Sequence, residues 1–430
     1  MKVSNLNITQ LQIIYGLSIL NSLLFIFFIG LEVAYDSSSY IQAWEVLLNG
    51  EIDKWRTPIY PIFLGIIQSI IGEEQFYTAT ICMQHLIFLL SIRYFYQVAK
   101  KLCHHKIIVF IITLLYALHP GIASWNNFIL TESLAVSFSV FLIYFAMKVW
   151  MGGTCKDCFL YNFWLLLLIF LRPAFVYIIP VSIVAWTIAA ILKKETRKSY
   201  ISCIVGVFIV TCSQLIYMNK FEERFGIFSP SGISIVNQYY IARQTGLLDS
   251  NLTDNAGLKN YINKSILENG QTCENHNELW EESNDIVKLF GLKDVQKIVT
   301  ISNKSNPISY IKKVGGRIVR ASYINYPPSY NKSLYSQYST YILSINLSDI
   351  YLFLFFFFFI LLYNILKQKY IPWYSSFFFM LGCSNIIVAI VGAQGEWSRL
   401  ILPSIPIYLL MFGQLCNMIN ITTVPNSQLE

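Results

Sequence analysis

The sequence predicts an all-α protein, a polytopic transmembrane helix bundle, on three observations. Hydrophobic residues make up 55% of the 430 positions and charged residues only 13%, where soluble proteins carry roughly 25% charge. The apolar residues come in solid blocks about as long as a bilayer is thick, and they do not alternate as the strands of a membrane barrel would. Lys and Arg collect in short clusters between those blocks, where membrane topology places them. A soluble enzyme is excluded on these grounds. The formal net charge of +7 does not point to nucleic acid, because its carriers are dispersed over inter-helix loops.

Apolar blocks run over 11–31, 58–72, 76–99, 107–119, 128–148, 159–171, 174–192, 201–217, 343–366, 372–392 and 400–418. The first is longer than a signal-peptide core and has no small-x-small cleavage pattern, so it is expected to stay as an anchoring helix. Arg93, Lys100, Lys101 and Lys106 mark one cytoplasmic loop, and Lys148 with Lys156 a second. Lys193, Lys194, Arg197 and Lys198 mark a third, and Lys367 with Lys369 a fourth. All four lie on the N-terminal side if block 58–72, opened by Pro58 and Pro61, enters and leaves from outside as a half-inserted helix. Ten crossings and one half-inserted helix result.

Three regions follow. Residues 1–217 form an N-terminal transmembrane module whose first outer loop, 32–75, carries the candidate catalytic residue. Residues 218–340 form an inserted, small, mostly helical extracytoplasmic domain, with helices expected over Leu258–Leu267, Glu278–Phe290 and Ile308–Tyr323. Residues 341–430 supply the C-terminal transmembrane helices. The nine Cys fall mostly inside apolar blocks and make no disulfide scaffold. Cys155 and Cys158, with Cys103, His104 and His105, are too irregularly spaced for a zinc site and read as loop residues.

Ionisable groups are costly in hydrocarbon, so those bordering the helices are functional candidates. Asp36, Arg56, Glu132, Arg172, Glu396 and Arg399 all fall at the outer interface, and none is expected at mid-membrane, where a secondary transporter carries its polar groups. Four of them have a plainer role as well. Asp36 can cap a flat interfacial helix over Ile41–Leu48, and Arg56 can snorkel ahead of a proline-started helix. Glu396 and Arg399 can form a local pair at i,i+3.

Taken together the segments resemble the GT-C type of integral membrane glycosyltransferases, the superfamily of lipid A aminoarabinose transferases and protein O-mannosyltransferases. The matching pieces are Asp36 with Tyr40 before a small amphipathic helix, and Pro58, Tyr60 and Pro61 opening a non-crossing helix. His119 and Pro120 followed by Leu130, Thr131 and Glu132 form a third, and Arg399 with Pro403 a fourth; Arg172 and Pro173 add an Arg-Pro pair. The resemblance covers roughly the first 200 residues and the last 60. The sequence departs from the pattern at Ser37, where many relatives carry a second acid, and in placing its large outer segment between crossings and not at the C-terminus.

The resemblance implies a sugar donor carried on a polyprenyl phosphate and an acceptor that is a glycan, a lipid or a protein, with no nucleic acid partner. It implies Asp36 as the catalytic base, Arg56, Arg172 and Arg399 as donor-phosphate ligands, and Tyr40, Tyr60, His119, Glu132 and Glu396 as supporting or substrate-binding residues. The chemistry agrees: transfer needs one carboxylate to take the acceptor's proton and cations to hold the departing phosphate. Direct displacement by one base implies inversion at the anomeric carbon. No cofactor is certain, and a divalent metal ion is left open. The protein is expected in the cell (inner) membrane with its site on the extracytoplasmic, periplasmic side. Two alternatives stand beside this reading. A glycan polymerase or ligase using a diphosphate-linked donor would lean on Arg224, Arg243, Arg317 and Arg320; a flippase or transporter of lipid-linked sugar would form no glycosidic bond.

Overall fold

The computed structural model describes residues 3–34, 36–273, 275–305, 307–321, 325–326, 345–368, 373–392 and 397–423. It is a helical bundle, with α1 (Val3–Ile29), α2 (Ser37–Leu48), α3 (Ile59–Ile71), α4 (Phe76–Leu102), α5 (Lys106–Ala117) and α6 (Pro120–Trp125) leading to α7 (Glu132–Trp150) and α8 (Cys155–Leu171). A 3-10 turn at Pro173–Tyr177 opens α9 (Ile178–Leu192), which is followed by the long α10 (Arg197–Phe225). Four helices, α11 (Ile233–Gln244), α12 (Ala256–Asn269), α13 (His276–Ser305) and α14 (Pro307–Ala321), precede α15 (Leu347–Gln368), α16 (Trp373–Gly392), the short α17 (Trp397–Ile401) and α18 (Ile405–Thr423). The strands among the described residues are two dipeptides, β1 (Asn325–Tyr326) and β2 (Ile345–Asn346), paired antiparallel.

The expected all-α polytopic bundle is what the chain forms. Among the described residues nine stretches are long and apolar enough to cross a membrane. The expected crossing at 159–171 lies in α8, whose 17 residues fall at the lower limit for a span. Arg172, just past α8, reaches Glu132, the first residue of α7, so α8, rising ~26 Å, returns along most of the ~28 Å of its neighbour. The 13 residues of α3 rise only about 20 Å, too short to cross. Exposed Phe27, Phe208 and Phe355 on α1, α10 and α15 mark the surface that faces lipid.

Buried along nearly its whole length, α7 is the central helix of the bundle. At its far end Trp150 stacks on Trp373 with centroids 4.4 Å apart, and Lys193 Nζ lies over the Trp150 ring at 4.1 Å. Lys100, Lys101 and Lys148 line one groove there, so the basic loops and Glu132 occupy opposite ends of α7. Cys155 and Cys158 fall in the first turn of α8 and not in a loop. Asp157 holds that turn by accepting from the Thr154 backbone N–H at 2.8 Å.

The helix α10 runs without a break through the expected boundary at 217/218. Its 29 residues rise about 44 Å, more than a hydrocarbon core, and its last turns carry Phe221 into a second apolar cluster with Ile227, Tyr239, Leu258, Ile286 and Val295. The expected helices at 258–267 and 278–290 are α12 and the first part of α13, which breaks at Gly291 in a left-handed conformation (φ 79°) open to glycine without strain. Ile52 and Trp55 of the first loop pack against this cluster, and Gly232 N–H donates to Lys54 O at 2.7 Å. The expected 308–323 helix is α14, ending at Ala321.

The helix α2 packs on α3 through a close approach. A Cβ on Gly65 would come within 2.0 Å of the Trp44 ring, so only glycine lets the indole lie on the α3 backbone. Gly65→Val is expected to lower stability by about 1–3 kcal/mol through overpacking, read as the thermal midpoint in detergent, and Trp44→Leu in the same chain to recover part of the loss. An unchanged midpoint in Gly65→Val would show that the two helices do not meet there.

Candidate active site

Proline chemistry sets the site's arginines. Arg172 precedes Pro173, which disfavours the helical conformation for the residue before it; α8 therefore stops at Leu171, and Arg172 is extended (φ −147°, ψ 122°). Arg56 precedes Thr57 and Pro58 in a turn made by Asp53, whose Oδ1 accepts from the backbone N–H groups of Trp55 (2.8 Å) and Arg56 (2.6 Å). Thr57 Oγ1 donates to Leu171 O at 3.1 Å, tying that turn to the end of α8. Arg399 lies on α17, which gives way to a 3-10 turn holding Pro403.

The first loop is fastened to the start of α7. Glu32 forms a bridge with Phe128, Ser37 Oγ donates to Ile129 O at 2.9 Å, and Asn127 Nδ2 donates to Phe25 O (2.8 Å) and Gly30 O (3.0 Å). Asp36 thereby reaches the end of α7. It occupies the N-cap position of α2, yet its side chain makes no capping hydrogen bond. Arg56 Nη2 instead donates to Asp36 Oδ1 at 2.6 Å, and Arg399 Nη2 stands 3.7 Å from Oδ2. The helix-cap role for Asp36 is set aside by this geometry, as is the snorkelling role for Arg56, whose side chain is only 12% exposed.

Glu132 is fully buried. Arg399 Nε donates to its Oε1, and Arg172 Nη1 lies 3.2 Å from the same oxygen. The second contact is an ion pair by distance but is not aligned as a hydrogen bond, and among the described residues Arg172 Nη1 has no hydrogen-bond acceptor. Arg56 Nε donates to Ser39 Oγ at 2.7 Å, and its guanidinium lies over the Tyr40 ring at 4.2 Å. Burial alone would lower the Arg56 pKa, but Tyr40 and Asp36 outweigh it and hold it above its ordinary value.

Asp36, Arg56, Arg172 and Arg399 line one cavity of about 370 Å³. Tyr40 joins them, while Leu171, Pro173, Ala174 and Val388 give the cavity an apolar side. Among the described residues three guanidinium groups around it stand against the carboxylates of Asp36 and Glu132. Tyr60 and His119 line neither this cavity nor its neighbour. Tyr60 is buried behind Tyr40, ring centroids 5.0 Å apart, and its hydroxyl donates to Gln84 Oε1 at 2.9 Å; His119 opens α6. Glu396 lies outside the described residues, and the local pair proposed for Arg399 with it.

The reading of the sequence missed the part of the cavity wall made by the insertion: Ser231, Asn237, Gln238 and Trp280. Uncharged residues in a polar segment carry no signal, and only Trp280 stands out by type. The four insertion arginines are elsewhere. Arg243 is fully buried and donates to Glu282, Ser265 O, Gly270 O and Gln271 O. Arg224 pairs with Glu51 at the surface, Arg317 lies over the Trp397 ring at 5.3 Å, and none of them lines the Asp36 cavity. A divalent metal does not fit these residues: both carboxylates at the site already face guanidinium groups, and among the described residues no three His, Cys, Asp or Glu side chains gather as a ligand set.

No family model matches the chain, and no curated protein matches it. Among solved structures it is similar to the archaeal oligosaccharyltransferase AglB from Archaeoglobus fulgidus, in complex with an inhibitory peptide and a dolichol-phosphate. The identity is 14% and the TM-score 0.49, over 97% of this chain and 52% of that one. The chain spans about half the length of that structure.

Glu132→Ala leaves two buried guanidinium groups without their shared carboxylate, and a loss of about 3–5 kcal/mol is expected, measured by denaturation in detergent. A double-mutant cycle between Glu132→Gln and Arg172→Gln should return a coupling of at least ~0.5 kcal/mol; additive losses would separate the two residues.

Proposed function

We propose that the protein is a membrane glycosyltransferase of GT-C type that moves a sugar from a polyprenyl-phosphate donor to an acceptor at the outer face of the membrane. One observation carries this reading. A cavity beside the start of α7 combines an apolar side with three guanidinium groups. An ionised phosphate on an isoprenoid tail matches both halves, the head by charge-assisted hydrogen bonds and the tail by apolar contact. The distant placement of the insertion arginines speaks against the polymerase or ligase alternative.

In the proposed reaction the acceptor oxygen attacks C1 of the sugar as the C1–O bond to phosphate breaks. The phosphate leaves with the bonding pair, already ionised, so no general acid is needed. The acceptor's proton passes to Asp36, and the single displacement inverts the anomeric carbon. Asp36 is paired with Arg56, and an arriving phosphate competes with it for Arg56 and Arg399. Glu132 is a positioning residue that holds Arg399 and Arg172, Tyr40 supports Arg56, and Tyr60 supports Tyr40. The region 218–340 is proposed as an extracytoplasmic domain that closes the cavity from above, and the chain as a protein of the cell membrane with its site on the extracytoplasmic side.

Asp36→Asn should fold and lose transfer by about 100-fold or more, within the range for a general base, measured as polyprenyl phosphate released by purified protein from labelled donor. Near-normal turnover would remove Asp36 from the chemistry. Arg172→Gln should raise the donor KM more than it lowers kcat; an unchanged KM would take Arg172 away from the phosphate.

A further inference from the structure

The insertion carries a surface that the proposed transfer does not use. The helix α14 is sharply amphipathic. Val314, Arg317 and Ala321 are buried, and the helical spacing then gathers Ile308, Ile311, Ile318 and Val319 on the outward side. At 3.6 residues per turn these four fill an arc about 100° wide, and Ile308, Ile311 and Val319 are 80%, 70% and 63% exposed. Lys312 borders the arc and is itself exposed, while Lys313 turns away from it to donate to Gly246 O at 3.1 Å. The 15 residues of α14, with Lys312, Lys313, Arg317 and Arg320 among them, are too short and too charged to cross a bilayer.

Two contacts set the height of α14 on the bundle. Tyr351, in the first turn of the apolar stretch Ser348–Lys367 of α15, donates from its hydroxyl to Ile318 O at 3.3 Å. Arg317 lies over the Trp397 ring, two residues ahead of the apolar stretch that begins at Arg399. The helix therefore lies level with the ends of two membrane-crossing stretches. Beside Tyr351 on α15, Leu352 and Phe355 are exposed and belong to the surface that faces lipid, so the outward arc of α14 continues that surface around the end of the bundle. From this placement we propose that α14 is an interfacial helix: Ile308, Ile311, Ile318 and Val319 sink among the upper acyl-chain carbons of the phospholipid leaflet, and Lys312 reaches up to the lipid phosphates. An apolar arc with a basic border on a short helix of low overall hydrophobicity is the pattern of helices that lie in the plane of a membrane, and a long Lys stem lets the ammonium rise out of hydrocarbon. The insertion is thereby fastened to the leaflet beside the Asp36 cavity, whatever reaction that cavity serves.

The test replaces Ile311 by a fluorescent amino acid in the full-length protein, held in nanodiscs of phosphatidylethanolamine and phosphatidylglycerol, and compares two quenchers. One is a nitroxide carried near the top of the lipid acyl chain, the other iodide in the water. A side chain sunk to the acyl boundary should lose at least about half its emission to the lipid nitroxide and keep nearly all of it in iodide. Quenching by iodide that equals or exceeds quenching by the nitroxide would mean that the arc faces water. Quenching by neither would mean that protein covers it, a second copy of the chain or another segment of this one. Either result overturns the proposal. The same label in place of Ile308 and of Val319 repeats the measurement, and because all three side chains are exposed a folding defect at one position leaves the other two to decide.

Discussion

One end of this bundle is organised by one buried carboxylate. Glu132 has no contact with solvent, and an ion in that position is tolerable only if opposite charge and hydrogen bonds replace its water. Arg399 and Arg172 supply them, from a chain position 267 residues away and from the end of α8. The ends of α7, α8 and α17 must therefore meet at one point. Because Arg399 also reaches Asp36, the first loop is drawn to the same place. The helices could pack in other registers as far as their apolar faces are concerned, since lipid tails offer no hydrophobic penalty for sliding; the charged cluster selects one.

That constraint also explains why the arginines border a cavity and are not sealed in a core. Each is held on one side by a carboxylate or an aromatic face, Arg56 by Asp36 and Tyr40, Arg399 by Glu132 and Trp125. A guanidinium presents five donors in a plane, more than these partners can accept. All three side chains also line the cavity. Such an arrangement is stable with the cavity hydrated and gains further hydrogen bonds when an oxyanion enters, which is how a preformed electrostatic site works.

The fold class was legible because hydrophobic blocks and basic loops report directly on a bilayer. The short α3 was legible from Pro58, Pro61 and its length. The bundle end that gathers Asp36, Arg56, Glu132, Arg172 and Arg399 was legible because charged residues bordering membrane helices are few, although their pairing was not: Glu132 serving two arginines depends on distances across 267 positions of chain. Tyr60 and His119 belong to the same motifs as the cavity residues, yet they face the bundle interior, since a motif fixes the backbone path and not which neighbour points inward. The insertion's share of the wall was illegible for a different reason. Ser231, Asn237 and Gln238 have no property that separates them from other polar loop residues, and their position depends on the docking of Gly232 against Lys54 and Trp55.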